Sequence, residues 1–245
     1  MGGDGYVSAH FEEIDRRPTR IGEVSLRRRW EPMLEVEVHE VRLDDEYLMS
    51  SLFTTAEVAL ARLGLARASG PHLDVVVGGL GLGYTARAVL EDPRVRTLHV
   101  VEALEEVIEW HQRELLPLGA DLNADARCEL VAGDFFAIVA DGVQFGPGAP
   151  DRVHAVLVDI DHSPDRHLHP SHAAFYEPAG LRRLADHLHP GGVFALWSDD
   201  PPDETFVSTV KEVFASCEAQ FITFPNPYTG AASTNSLYVA TLDRR

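Results

Sequence analysis

The run Leu73-Asp74-Val75-Val76-Val77, followed at once by Gly78-Gly79-Leu80-Gly81-Leu82-Gly83, constrains this chain more than any other feature. A continuous β-branched run is the signature of a strand buried on both faces of a parallel sheet. With the helix-like segment Tyr84–Leu90 after the glycines, it makes a β–loop–α unit. Glycines at such a turn let the backbone approach a ligand closely, and ligands in open α/β sheets sit at the carboxyl ends of the strands.

The same alternation repeats. Strands are expected at Thr97–Glu102, Cys128–Val131, Val153–Asp159 and Val193–Trp197, and helices at Leu104–Leu115, Phe135–Ala140, Ser171–His189 and Asp203–Ala215. Two strands, Ala219–Phe224 and Asn235–Leu242, close the chain with no helix between them. This predicts an α/β, Rossmann-like, doubly wound, mainly parallel sheet with an antiparallel C-terminal edge. Residues 1–50 read as a small N-terminal β-rich region, with strands at Gly22–Arg29, Leu34–Leu43 and Glu46–Ser50. Residues 51–245 form the main domain, opening with a helix capped by Ser51 or Thr54 and ending at Gly64. The stretches Gly119–Arg127 and Gly142–Asp151 read as irregular connections.

Charge narrows the function. With 21 Lys and Arg against 39 Asp and Glu, the 245 residues carry a formal charge of −18. This excludes a basic nucleic-acid surface and favours small cationic substrates over anionic ones. No stretch approaches the roughly 18 apolar residues of a membrane span, so a cytoplasmic protein without membrane partners is expected. Cys128 and Cys217 lie in or beside apolar segments and read as buried free thiols. Homodimer formation is a further expectation, through edges of the N-terminal β-region.

Three strand ends supply ligand-facing groups. The glycine string with Gly78, Gly79, Gly81 and Gly83 is the first, and Glu102 is the second, a carboxylate placed to accept both hydroxyls of a ribose. After the third strand comes Gly133-Asp134-Phe135, an acid and a ring for an adenine. Read from Gly79, the dinucleotide pattern requires glycine at Tyr84, so the string fits an adenosyl sulfonium better.

Several stretches resemble the spermidine synthase (polyamine aminopropyltransferase) family, which shares the class I methyltransferase fold. They are Val75-Val76-Val77-Gly78-Gly79, Val100-Val101-Glu102, Gly133-Asp134, Val156-Leu157-Val158-Asp159, Phe175-Tyr176, His189-Pro190-Gly191-Gly192-Val193 and Phe224-Pro225-Asn226-Pro227. The resemblance implies S-adenosylmethionine or its decarboxylated form as co-substrate and an amine-bearing acceptor. Three departures qualify it. Gly81 stands where the family has an Asp facing the donor ammonium, and Leu48-Met49-Ser50 replaces a Tyr-His pair that contacts the polyamine. Asp159-Ile160-Asp161-His162-Ser163-Pro164 replaces Asp-x-x-Asp-Pro.

Asp159 is the expected base, accepting a proton from the attacking amine, with Asp161 and His162 as helpers. The His-rich segment Asp165–His172 reads as a lid and not as a metal site, since its spacing matches no ligand motif. Trp197, Asp199 and Asp200 are candidates for holding a cationic substrate. Because Gly81 removes an acid, the residues lean towards methyl transfer from S-adenosylmethionine to an amine-bearing small molecule. The alternatives are aminopropyl transfer to a diamine and a non-catalytic nucleotide-binding module.

Overall fold

A computed structural model describes residues 11–244 of the chain. The first ten residues of the expected β-rich region, and Arg245, lie outside the described residues. The chain forms two compact units, one ending at Thr54 and the other beginning at Thr55.

The first unit is a four-stranded antiparallel sheet of β1 (Phe11–Thr19), β2 (Gly22–Glu31), β3 (Val36–Leu43) and β4 (Glu46–Ser50), in that order. No apolar alternation marks β1, because that strand is largely exposed. Its register is set by charge: Glu12 lies opposite Arg28 and Glu13 opposite Arg27, and Arg28 and Glu12 form an ion pair of 2.5 Å. The cluster Arg27-Arg28-Arg29 is thereby tied to its own sheet, with Arg29 also bonded to Glu40 at 2.8 Å.

The second unit opens with α1 (Thr55–Arg67), directly after Thr54. There follow β5 (Leu73–Gly78), α2 (Tyr84–Leu90), β6 (Val95–Glu102), α3 (Glu105–Gln112), α4 (Gly119–Ala124), β7 (Cys128–Ala132), α5 (Phe135–Asp141) and β8 (Val153–Val158). A 3-10 helix over Pro170–Tyr176 leads to α6 (Pro178–Asp186), β9 (Leu188–Ser198), α7 (Glu204–Lys211), β10 (Ser216–Pro225) and β11 (Ala232–Thr241). The seven strands run in the order β10-β11-β9-β8-β5-β6-β7. From β9 to β7 every pairing is parallel, whereas β11 runs against both β9 and β10. The antiparallel edge is therefore the β10–β11 hairpin, with β11 its inner strand.

Three expectations shift. Gly64 does not end α1 but lies inside it: a Cβ there would come within 2.6 Å of Leu157 Cδ2, so glycine lets the helix lie close on β8. The expected helix over Ser171–His189 breaks at Pro178, which has no N–H to donate and pushes Glu177 into extended backbone (φ −85°, ψ 160°). Part of the expected loop Gly119–Arg127 is the helix α4.

Strand alternation sorts the core. Val76, Val156, Val158 and Phe194 join Leu181, Leu184, Phe206 and Val210 of α6 and α7 in one buried cluster, while Leu157 faces α1 under Gly64. Truncating Leu157 to alanine would cost about 2–5 kcal/mol. Cys128 and Cys217 are free thiols on β7 and β10, the two outermost strands of the sheet; Cys217 is buried and Cys128 partly so. Desolvation pushes their pKa values up to about 12 for Cys128 and about 11 for Cys217.

Candidate active site at the switch between β5 and β8

Strand β5 pairs with β6 on one side and β8 on the other, so the connections leaving β5 and β8 diverge and open a crevice at the carboxyl ends of the strands. The glycine string lines this point. Gly79 has φ +95°, and a Cβ there would come within 2.2 Å of the Asp159 carbonyl oxygen, so only glycine lets the two loops touch. Gly78 is packed by the Phe135 ring, which a Cβ on Gly78 would meet at 2.9 Å, and Gly83 occupies the N-cap of α2 in left-handed backbone. Gly81 also has positive φ, and its carbonyl accepts a hydrogen bond of 2.9 Å from His111 Nε2.

Glu102 ends β6. Its two carboxylate oxygens accept backbone N–H groups from Leu80 and Leu104, each at 2.9 Å, which fixes the carboxylate against the glycine loop. Burial pushes its pKa up, against the lowering by the surrounding N–H groups. The backbone N–H groups of Gly81 and Ala103 also bear on this carboxylate, so four N–H groups converge on it.

Asp159 follows β8. Its Oδ2 accepts the Thr85 hydroxyl at 2.9 Å, and burial pushes its pKa up to about 6, the Thr85 bond opposing. A carboxyl poised near neutrality suits proton transfer at physiological pH. Glu57, in the first turn of α1, is 9% exposed, and burial together with the charge on Asp159 pushes it up to about 8.

The other candidates fall out differently. Asp161 is 1% exposed and fully engaged: Oδ1 accepts Leu168 N at 2.7 Å and meets His172 Nδ1 at 2.8 Å, and Oδ2 accepts the Tyr176 hydroxyl at 2.9 Å. It is the hub that folds the His-rich segment onto the 3-10 helix and not a free base. His162 joins two loops through its carbonyl, which accepts Asp199 N at 2.7 Å. Asp134 caps α5, accepting Phe136 N at 2.9 Å and Ala137 N at 3.1 Å, and is exposed beside the crevice. Phe135 corrects the expectation of an adenine contact: it is 2% exposed, stacked on Phe145 with centroids 5.8 Å apart, and belongs to the core.

Asp199 and Asp200 are also corrected as free cation holders. Arg166 from the His-rich segment bonds Asp200 through Nε at 3.0 Å and Nη2 at 2.9 Å, and reaches Asp199 at 3.3 Å. That guanidinium holds Asp200 below the ordinary carboxylate range. Trp197 is half-buried on β9, and its indole Nε1 is buried without a hydrogen-bond partner among the described residues.

Sequence reasoning missed Thr85, Glu57 and His111. Each lies on a helix face that reads as ordinary amphipathic packing, so no local signal marks it. The helical spacing that puts Val107, Ile108, Trp110 and His111 on one buried face was the available clue for His111.

A seven-stranded sheet with one reversed strand beside the last, a glycine turn after its first strand and an acid ending the second define a class I methyltransferase-type Rossmann-like domain. Within that class, residues 56–236 match the family model of the spermine/spermidine synthase domain, and the chain belongs to that family. A curated relative, polyamine aminopropyltransferase 2 of Pseudomonas aeruginosa, is 29% identical over 163 residues. The match covers 62% of this chain and 43% of the relative, so this chain spans less than half the length of the protein it resembles. Two solved structures share the fold: spermidine synthase from Thermotoga maritima, with a TM-score of 0.71, and spermidine synthase in complex with the transition state analogue AdoDATO, with 0.73. Each is 18% identical, with 95% of this chain and 74% of the other covered. Among the described residues no helix is long and apolar enough to cross a membrane.

Proposed function

We propose that the chain transfers an aminopropyl group from decarboxylated S-adenosylmethionine to a small diamine. The observation that carries this reading is the placement of Asp159 at the switch point, its Oδ2 bonded to the Thr85 hydroxyl at 2.9 Å and its backbone held against Gly79 across the loop that Glu102 secures. Family membership supports the same reading, as do the names of the relatives, an aminopropyltransferase and two spermidine synthases. The lean from sequence towards methyl transfer rested on Gly81, and neither the family nor the relatives support it.

In this reading the donor ribose hydroxyls bond to Glu102, and the glycine turn admits the donor close to the backbone. Asp134 lies near the adenine. The ammonium of the diamine gives a proton to ionised Asp159. Its freed lone pair attacks the propyl carbon next to sulfur; the new N–C bond forms as the C–S bond breaks, and the electron pair stays on sulfur in methylthioadenosine. The secondary amine product keeps the proton that balances its charge. Asp159 favours the step twice, by accepting the proton and by stabilising the cation as it loses water.

The test incubates purified protein with putrescine and either donor, with products read by mass spectrometry. Formation of methylthioadenosine and an aminopropylated amine from the decarboxylated donor is expected. S-adenosylhomocysteine with a methylated amine would overturn the reading in favour of methyl transfer, and no product with either donor would favour a non-catalytic module.

A further inference from the structure

The first turns of α1 and α2 and the end of β8 meet at the switch point, and they bring a second acid there. Glu57 of α1 is nine-tenths buried, and the hydrogen bond that bears on its carboxyl comes from its own backbone N–H. Thr85 of α2 stands between the two acids' segments: its Oγ1 is 2.9 Å from Asp159 Oδ2 and 3.4 Å from the Glu57 carbonyl oxygen. Burying a carboxylate costs several kcal/mol unless it is neutralised by a proton or a counter-ion. A ligand that brings a positive charge is one way such a group is neutralised.

We infer that Glu57 is the second carboxylate of the acceptor site: it holds a proton while the site is empty and releases it to solvent when a cationic amine enters against the Glu57–Asp159 pair. The inference rests on the aminopropyl-transfer reading, which supplies the cationic amine. Helix α1 packs against α2, β8, β9, β10 and β11; of these the segment after β8 brings Asp159 and α2 brings neutral Thr85, and Asp159 is the one charged side chain among the described residues that bears on Glu57. An incoming ammonium is thus the missing counter-ion, and amine binding is coupled to loss of one proton. The directions agree: burial and the charge on Asp159 raise Glu57, and burial raises Asp159, so the pair holds a proton to higher pH than two free carboxylates would. The two acids titrate as a pair, in two steps. Glu57 acts on the amine through charge and on Asp159 as a positioning residue, leaving proton abstraction to Asp159.

The test is calorimetric titration of the full chain with putrescine, with methylthioadenosine present, in two buffers of different ionisation enthalpy. Close to one proton released per amine bound is expected at pH 7, falling towards zero at pH 5 and at pH 9.5. Glu57→Gln, which mimics the protonated acid, abolishes the release and weakens amine binding at least tenfold, while circular dichroism confirms its fold. Glu57→Asp, a second variant, keeps the release with a shifted pH midpoint. Amine binding without buffer-dependent heat, or a release unchanged in Glu57→Gln, overturns this inference alone. Failure of putrescine to bind at all overturns it together with the aminopropyl-transfer reading.

Discussion

The α-carbon of Gly79 lies against the backbone carbonyl of Asp159, so closely that a methyl group on Gly79 would come within 2.2 Å of that oxygen. This contact fixes the distance between the turn after β5 and the acid after β8. Gly79→Ala is therefore expected to fail twice, through strain at φ +95° and through displacement of the Asp159 loop. Loss of about 2 kcal/mol or more in urea unfolding, with weaker donor binding, is the expected outcome. A variant as stable and active as the parent would show that the loops are free to separate.

Asp159→Asn keeps the shape and removes the proposed base. If Asp159 acts on the amine, turnover should drop by about 10²–10⁴ while donor binding by calorimetry stays within a few-fold. Equal loss of donor affinity would place Asp159 in the donor site instead.

Glu102→Gln tests the ribose contact. The amide retains one acceptor oxygen for the loop N–H groups but loses the charge-assisted acceptor for a hydroxyl, which is worth about 1.5–3 kcal/mol, or roughly 10- to 100-fold in donor affinity. Undiminished affinity would count against the assignment.

Stability should follow the two raised acids. Burial raises both acids in the folded chain, Glu57 from an ordinary 4.5 up to about 8, with the charge on Asp159 adding to it, and Asp159 from 3.8 up to about 6. The folded state binds more protons than the unfolded state between those values, so their contribution is present in full at low pH and is lost as pH rises from about 4 to 8. Glu57→Gln removes one of the two and should gain on the parent by about 1 kcal/mol or more as pH rises from about 5 to 9, on the order of one pKa unit. Parallel pH profiles for the two proteins would argue that Glu57 is not desolvated.

Arg166→Ala leaves Asp199 and Asp200 without their cation. These groups are about half exposed, so stability should change by less than about 1 kcal/mol. The freed charges should lower KM for putrescine and steepen its salt dependence. An unchanged KM would place these acids outside the path of the amine.

Local chemistry made the parallel sheet legible. The Val75-Val76-Val77 run, the glycines after it and the strand–helix alternation are short-range patterns, and β5 and α2 lie where they predict. The start of α7 lies at Asp203 as the pattern predicts, and Asp203 caps the helix by accepting Thr205 N and Phe206 N. The exposed strand β1 escaped, because its pairing rests on ion pairs with β2 and not on an apolar stripe. Gly64 misled, because a glycine that ends a helix and one that admits a neighbouring strand look alike in sequence.

The sequence by itself determined the β–loop–α unit, the acids that end β6 and β8, and the family, because these reside in spacing and residue type. Only the tertiary structure decided which acids are committed to partners. It committed Asp161 to His172 and Tyr176, gave Asp199 and Asp200 to Arg166, sank Phe135 into the core and brought Glu57 to Asp159. The physical reason is that a carboxylate's chemistry depends on water, partners and charges within a few ångströms, and these come from segments distant in the chain.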